Sequence, residues 1–344
     1  MIKRITAQDV AKAAGVSPTT VSFVLNNIEG MRISKETRDR VLEVAKSLNY
    51  HPDSSAQKMA RGKTSVIGLV LRQNPEKAYA DLFIQDVMQG ISSVIRENGY
   101  QLLFIPLPPE DKESSYSKLI NERHVDGLIV SGPTEDDYEL VDAFREGAKI
   151  VLMGKIPGSN IPFIDIDNIK GAEIATSHLV SLGHKDIAII TNAPDNYDSS
   201  KDRFEGYRQV LKKNKITLND EWVFWGDRTP ESGYEAMSKL LSRKPLPSAV
   251  FIASDTVALG ALNACYEKNI RVPDDLAIVG FDDIALSRYV IPPLTTVHLP
   301  AYSLGLGAAS MLIQQLNDEF IESNEIILQT KLVIRESSGK NIKP

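Results

Sequence analysis

Ile5-Thr-Ala-Gln-Asp-Val-Ala-Lys-Ala-Ala-Gly-Val-Ser-Pro-Thr-Thr-Val-Ser-Phe-Val-Leu-Asn26 is the stretch on which the reading of this chain turns. Thr6 and Asp9 have the spacing of a capping box, with Asp in place of the usual Glu or Gln. Val10, Ala11 and Ala14 then fall on one helical face. Gly15 can take the positive φ that ends a helix. Ser17 is a good N-cap, and Pro18 at the first helical position gives up an N–H that would have no partner. Val21, Val24 and Leu25 form the inward stripe of a second short helix. Two short helices joined by a Gly-containing turn make a plain helical hairpin or a helix-turn-helix. In the second case the second helix enters the major groove of DNA and the first crosses the backbone. Thr19, Thr20 and Ser22 face outward from the first turn of that helix, whose N-terminus suits a phosphate.

Working outward, Ser34 caps a third helix running to about Asn49, with Val41, Leu42, Val44, Ala45 and Leu48 as its expected buried face. Arg32, Lys35, Arg38 and Arg40 surround its start. Asn49-Tyr-His-Pro52 is a helix stop. Ser54 to Gly62 is compatible with a helix but too short to be stable alone. Residues 1–63 hold 11 Lys and Arg against 6 Asp and Glu, a balance of +5, whereas the remaining 28 basic and 39 acidic residues give −11. A basic head on an acidic body implies that the head alone meets a polyanion.

From Thr64 the pattern changes. Apolar runs at 66–71, 102–105, 127–130, 150–153, 187–190, 249–252 and 276–280 alternate with helical stretches such as Asp81 to Glu97, Gly171 to Leu182 and Asp255 to Lys268. Strands without polar alternation, interleaved with helices, belong to parallel sheets covered on both faces. There are enough of them for two sheets, and a last strand is expected from Ile326 to Arg335.

The totals exclude several classes. The length of 344 residues calls for more than one domain, and 42 % hydrophobic with 24 % charged residues is ordinary for a soluble chain. No run approaches the roughly 18 apolar residues of a membrane span, and the N-terminus has no apolar signal region, so a cytoplasmic protein is expected. Cys265 is the single cysteine and reads as a small buried side chain. The five histidines have no metal-ligand spacing, so neither metal nor cofactor is expected. Gly62-Lys63-Thr64 lacks the earlier glycine of a phosphate loop, since Gln57 stands there, and it precedes a strand. Gly305-Leu-Gly307 half matches a dinucleotide fingerprint but lies inside a helical pattern. No Ser-His-Asp grouping is evident, and no enzymatic activity is expected.

Residues 5–64 resemble the head of the LacI/GalR family of transcriptional regulators. The resemblance rests on D-V-A-x-x-A-G-V-S-x-x-T-V-S (Asp9 to Ser22), on Leu48-Asn-Tyr-x-Pro52 and on the Ala56-x-x-Met59 run. It implies that Pro18, Thr19 and Phe23 read bases in the major groove. It also implies that Met59, where Leu is usual, wedges into the minor groove from a hinge helix that includes Ala56. Phe23 departs from the Arg of many members; it can touch a thymine methyl but cannot make bidentate bonds to guanine. The candidate DNA-facing residues are Thr6, Ser17, Pro18, Thr19, Thr20, Ser22, Phe23, Asn26, Ala56 and Met59.

The body resembles the periplasmic-binding-protein-like core of the same family through Asp167-Asn168, Leu182-Gly-His184, Arg203-Phe-Glu-Gly-Tyr207, Ser254-Asp255, Ala258-Leu-Gly260, Val279-Gly-Phe-Asp-Asp283 and Pro293-Leu-Thr-Thr-Val297. The implied fold class is α/β: an all-α head (1–50), a hinge (51–63), and a type I core (64–340) of two doubly wound parallel-sheet lobes. One lobe is expected at about 64–160 plus 293–320, the other at about 161–292 plus 321–340. A cleft between two such lobes is the natural effector site. The resemblance makes Arg203 the ligand clamp and Asp282 an acceptor for sugar hydroxyls; Arg72, Tyr79, Gly154, Arg228 and Ser254 complete the candidate effector set. Gly154 stands where many relatives have Asp. Losing that acid while adding Arg72 and Arg228 favours an anionic ligand, such as a sugar phosphate or an acidic sugar. The expected function is a homodimeric repressor on a pseudo-palindromic operator, controlled by a small carbohydrate-like effector. The rivals are a sugar-binding protein without a DNA role and an enzyme using the cleft.

Overall fold

The computed structural model describes residues 5–25, 31, 33–50, 63–108, 116–134, 136–320 and 322–339. The chain divides into two compact units, residues 1–65 and 66–344.

The first unit is helical: α1 (Ala7–Ala14), α2 (Pro18–Leu25) and α3 (Lys35–Ser47). Its ends are fixed locally. The Thr6 hydroxyl accepts from the Asp9 N–H at 3.4 Å while the Asp9 carboxylate accepts from the Thr6 N–H at 2.9 Å, which closes the capping box. Gly15 has φ +66° and donates its N–H to the Ala11 carbonyl, which lets the chain turn sharply into α2. Ser17 accepts from the Thr20 N–H at 3.1 Å, and Ser34 caps α3 by accepting from the Thr37 N–H at 3.2 Å. The buried core of the unit is Val10, Ala11, Ala14, Val21, Val24, Val41 and Ala45. Leu42, expected inside, is 46 % exposed. One residue along a helix is about 100° of rotation, so Leu42 falls off the stripe that carries Val41, Ala45 and Leu48.

The second unit contains two sheets. In chain order the strands are β1 (Val66–Leu71), β2 (Gln101–Pro106), β3 (Gly127–Ser131), β4 (Ile150–Met153), β5 (Phe163–Ile166), β6 (Ile187–Ile190), β7 (Val223–Phe224), β8 (Ala249–Ile252), β9 (Ala277–Asp282), β10 (Thr295–His298), β11 (Glu325–Leu328) and β12 (Lys331–Val333). The helices that cover them are α4 (Pro75–Ala80), α5 (Leu82–Glu97), α6 (Tyr116–Asn121), α7 (Tyr138–Arg145), α8 (Asn168–Ser181), α9 (Asp198–Lys213), α10 (Pro230–Leu241), α11 (Asp255–Glu267) and α12 (Ala301–Leu316). The first sheet runs β11-β5-β4-β3-β1-β2 and the second β12-β10-β9-β8-β6-β7. Every pairing is parallel except β10 with β12. Helices α5 and α12 pack together on one face of the first sheet, with α6 and α7 in the hydrophobic cluster on its other face. In the second lobe α8 and α9 pair on one face, and α10 and α11 on the other. This is the doubly wound plan twice over.

The sheets place the crossings between lobes later than the sequence pattern implied. Strand β5, expected in the second lobe, pairs with β4 and β11 in the first, and β10, expected in the first, pairs with β9 in the second. The single strand expected from Ile326 to Arg335 is two strands, one in each sheet, separated by Gln329 and Thr330. Pro162 and Pro292-Pro293 are breaks in the sequence, but each precedes one more strand of the same lobe rather than marking the crossing. Cys265 is buried with a free thiol. Among the described residues no helix is long and apolar enough to cross a membrane, and no His, Cys, Asp and Glu cluster could hold a metal ion.

Candidate functional site

Between the two lobes lies a cavity of about 130 Å³, near the C-terminal ends of strands from both sheets. Helix α9 carries Arg203 into its wall, where the side chain is only 6 % exposed. Its Nε donates to Asn168 Oδ1 at 2.9 Å and its Nη1 to the Ala253 carbonyl at 2.6 Å. The guanidinium also lies 3.5 Å from Asp282 and 3.8 Å above the Phe281 ring. Four restraints from α8, β9 and the loop after β8 thus fix one planar fork, the group suited to binding oxygens in pairs.

Asp282 is positioned as firmly. Its Oδ2 accepts from the Ser254 hydroxyl at 3.0 Å and from the Asp255 N–H at the start of α11 at 3.3 Å. Its backbone has φ +119° and that of Asp283 has φ +60°, a region non-glycine residues avoid. Asp283 is held by an ion pair to Arg335 and a hydrogen bond with His298, so the strained corner is clamped from behind. Beneath it Asp255 is fully buried and accepts from Thr296, Ser287 and the Ile284 N–H. Burial pushes both carboxyls upward in pKa; the charge of Asp282 adds to the effect on Asp255, whereas Arg203 opposes it on Asp282. The first lobe contributes Asp165, pushed up to about 6 by burial, and Asp81, also raised by burial against the pull of Arg228.

Of the seven effector candidates, Gly154, Arg203, Arg228, Ser254 and Asp282 line this cavity. Gly154 has φ +107°, so the aspartate expected there by resemblance would be strained. Arg72 instead lines a neighbouring cavity. Tyr79 lies outside both: it is 66 % exposed, edge-on to Phe104 at 5.3 Å. Sequence reasoning missed Asp81, Asp165, Asn168, Asn192 and Tyr197, which also line the main cavity. Asp165 had a usable signal, a charge inside the apolar Phe163-Ile-Asp-Ile166. Asn168, by contrast, is a site residue only because Arg203 folds onto it.

The lobes touch around the cavity. Tyr197 donates its hydroxyl to the Arg72 carbonyl at 3.2 Å, Lys77 pairs with Asp227 at 2.6 Å, and Lys155 lies 3.8 Å from Asp202.

In the helical unit, Thr6, Ser17, Pro18 and Thr19 are exposed, and Thr20, Ser22 and Phe23 are half-buried. The Thr20 hydroxyl is hydrogen-bonded to Ser17 at 2.9 Å. The start of α2 is therefore a polar surface with a rigid backbone. Asn26, Ala56 and Met59 lie outside the described residues.

A helix-turn-helix unit in the same chain as a two-lobed core with a polar cleft defines a ligand-regulated DNA-binding protein. Residues 6–53 match the lacI family of bacterial regulatory proteins, and residues 176–338 match the periplasmic binding protein-like domain. The HTH-type transcriptional repressor PurR of Haemophilus influenzae is 35 % identical over 339 residues, covering 96 % of this chain and 98 % of the relative. Among solved structures, the lac repressor dimer bound to operator and the anti-inducer ONPF superposes with TM-score 0.83 at 29 % identity, covering 98 % of this chain and 100 % of that one. The complex of the transcriptional regulator CelR with cellobiose gives TM-score 0.73 at 32 % identity, with coverage of 97 % and 100 %. The chain belongs to the LacI family. It is a DNA-binding transcriptional repressor, and the relatives it matches are regulators rather than enzymes.

Proposed function

We propose that the chain works as a cytoplasmic homodimer on a pseudo-palindromic operator, and that a small carbohydrate bound by Arg203 and Asp282 relieves repression. The observation that carries the effector class is the immobilised Arg203 fork beside carboxylates. A hydroxyl both donates and accepts, so a polyol suits a wall that alternates guanidinium donors with Asp165, Asp282 and Asn192 acceptors. Asn192 Oδ1 is buried with no hydrogen-bond partner among the described residues, which leaves it open to a ligand hydroxyl. The cellobiose complex of CelR supports the same reading.

One short recognition helix contacts too few base pairs for selectivity, and a two-fold dimer doubles the site. The dimeric lac repressor on its operator supports this arrangement. We assign 1–50 to operator reading, with Pro18, Thr19 and Phe23 at the bases and Thr6, Ser17, Thr20, Ser22 and Asn26 as further DNA-facing residues. Residues 51–63 are assigned as the hinge, with Ala56 on it and Met59 as its wedge, and the core from about 64 as the effector unit. An effector shifts DNA binding only by its differential affinity for the two hinge states.

The test is calorimetry of the full chain against a panel of mono- and disaccharides, with nucleobases as the comparison. A saccharide that binds and weakens operator affinity at least tenfold supports the reading. Binding of a nucleobase with no saccharide bound contradicts it.

A further inference from the structure

A second cavity, of about 170 Å³, adjoins the main one and shares Tyr197 and Arg228 with it. Its charged lining is Arg72, Lys77, Arg228 and Asp227, two more positive charges than negative. The main cavity is the reverse: Asp81, Asp165, Asp198 and Asp282 face Lys155, Arg203 and Arg228. Asp227 is already satisfied by Lys77 at 2.6 Å and by Thr229, so within the cavity lining no carboxylate is left over for the two arginines. Arg72 Nε is buried without a hydrogen-bond partner among the described residues, its nearest carboxylate being Asp137 at 3.6 Å. Arg228 stacks on the Tyr197 ring at 4.1 Å and makes no ion pair among the described residues. Gln73 also lines the cavity; it is buried, and neither its amide nitrogen nor its oxygen has a partner among the described residues. Leaving a buried amide unsatisfied is costly, so its presence in the wall of a basic cavity points to a ligand group as its partner.

We propose that this cavity is an anion subsite: a phosphate or carboxylate borne by the effector sits against Arg72 and Arg228, with the Gln73 amide donating to it, while the sugar ring occupies the main cavity. Guanidinium forks match both oxyanions. Arg72 belongs to the first lobe and Arg228 to the second, so the anion bridges them and binds the closed cleft in preference to an open one. The ring placement rests on the carbohydrate reading; the anion subsite rests on its own lining.

Inorganic phosphate is the probe that separates the two. The ³¹P line of phosphate is measured with the full chain and with the Arg72→Gln and Arg228→Gln variants, each checked for a native circular-dichroism melt. The expected result is broadening with the wild type that falls at least fivefold in Arg72→Gln; Arg228→Gln, the other guanidinium of the subsite, serves in its place if Arg72→Gln does not fold. No broadening with the wild type, or broadening kept in the folded variants, overturns the subsite, since the basic head would then be the binder. Calorimetry with hexoses and pentoses, their phosphate esters and uronic acids then identifies the source of the anion. A charged sugar binding at least tenfold more tightly than its neutral parent, with the ratio lost in Arg72→Gln, supports an effector-borne anion. Equal or tighter binding of the neutral parent overturns it. Phosphate broadening without any sugar binding would remove the carbohydrate reading and leave the subsite standing.

Discussion

The head and the core keep their polar chemistry in opposite places. In the head Ser17, Pro18 and Thr19 stand in solvent, on helices held by seven buried side chains, none larger than valine. In the core Arg203, Asp255 and Asp282 are sunk in the protein, Arg203 against the Phe281 ring, and each is held by hydrogen bonds to other parts of the chain. A surface that meets DNA needs exposed donors on a backbone fixed by caps, because phosphate and base edges supply the partners. A cleft that distinguishes one small molecule needs groups fixed before the ligand arrives, and burial fixes them. The two regions should therefore fail differently.

The largest effect is expected in the core. Arg203→Met leaves Asp282 buried without its cation and should lower core stability by about 3–5 kcal/mol while abolishing effector binding. Thermal unfolding together with calorimetry checks both. A variant that still binds effector with an unchanged melt would mean that the arginine is not a clamp. In the head, Val21→Ala removes two methyl-sized groups from a small core, at about 0.8 kcal/mol each plus the cavity left behind. A loss of roughly 2 kcal/mol should lower a head-specific transition and DNA affinity, with the core transition unmoved in differential scanning calorimetry. Coupled loss of both transitions would show that the two units do not unfold independently.

The smallest effect sharpens the contrast through pH. Burial holds the Asp165 carboxyl at about 6, above its ordinary range, so the protonated form is the one folding favours. Its contribution is complete below about pH 4 and is lost as pH rises toward 6. Asp165→Asn, which keeps an oxygen for the Ile166 N–H, should raise the core melting temperature at pH 8 by a few degrees and leave it unchanged near pH 4. Equal gains at both values would separate the effect from ionisation.

The same contrast explains what could be read from sequence. Every device in the head is local: the Thr6–Asp9 box, Gly15, the Ser17-Pro18 start and the valine spacing lie within a few residues of one another, and the helices follow from them. Leu42 is the exception, because a hydrophobic residue in a helix says nothing of which side it faces until the partner helices are placed. Most strands of the core were legible as apolar runs. β5, β7 and β10 were not, since Phe163-Ile-Asp-Ile166 and Thr295-Thr-Val-His298 carry polar groups into the cleft or the buried network, and β7 is two residues long. Arg203 and Asp282 were found through resemblance. Asp81, Asp165 and Asn168 become neighbours only when two lobes close on one cavity, a relation between distant segments that no local pattern records. Arg72 and Arg228 stand out in the sequence as extra cations, but only the fold shows that Arg72 lines a second cavity and that Arg228 is shared by both.

The most direct test begins with operator duplexes selected from a random pool by the full chain. Their affinity is then measured for the wild type and for Arg203→Ala across the saccharide panel. The account predicts a saccharide that changes wild-type affinity at least tenfold and leaves that of Arg203→Ala unchanged. A saccharide acting equally on both proteins, or a panel acting on neither, would contradict it.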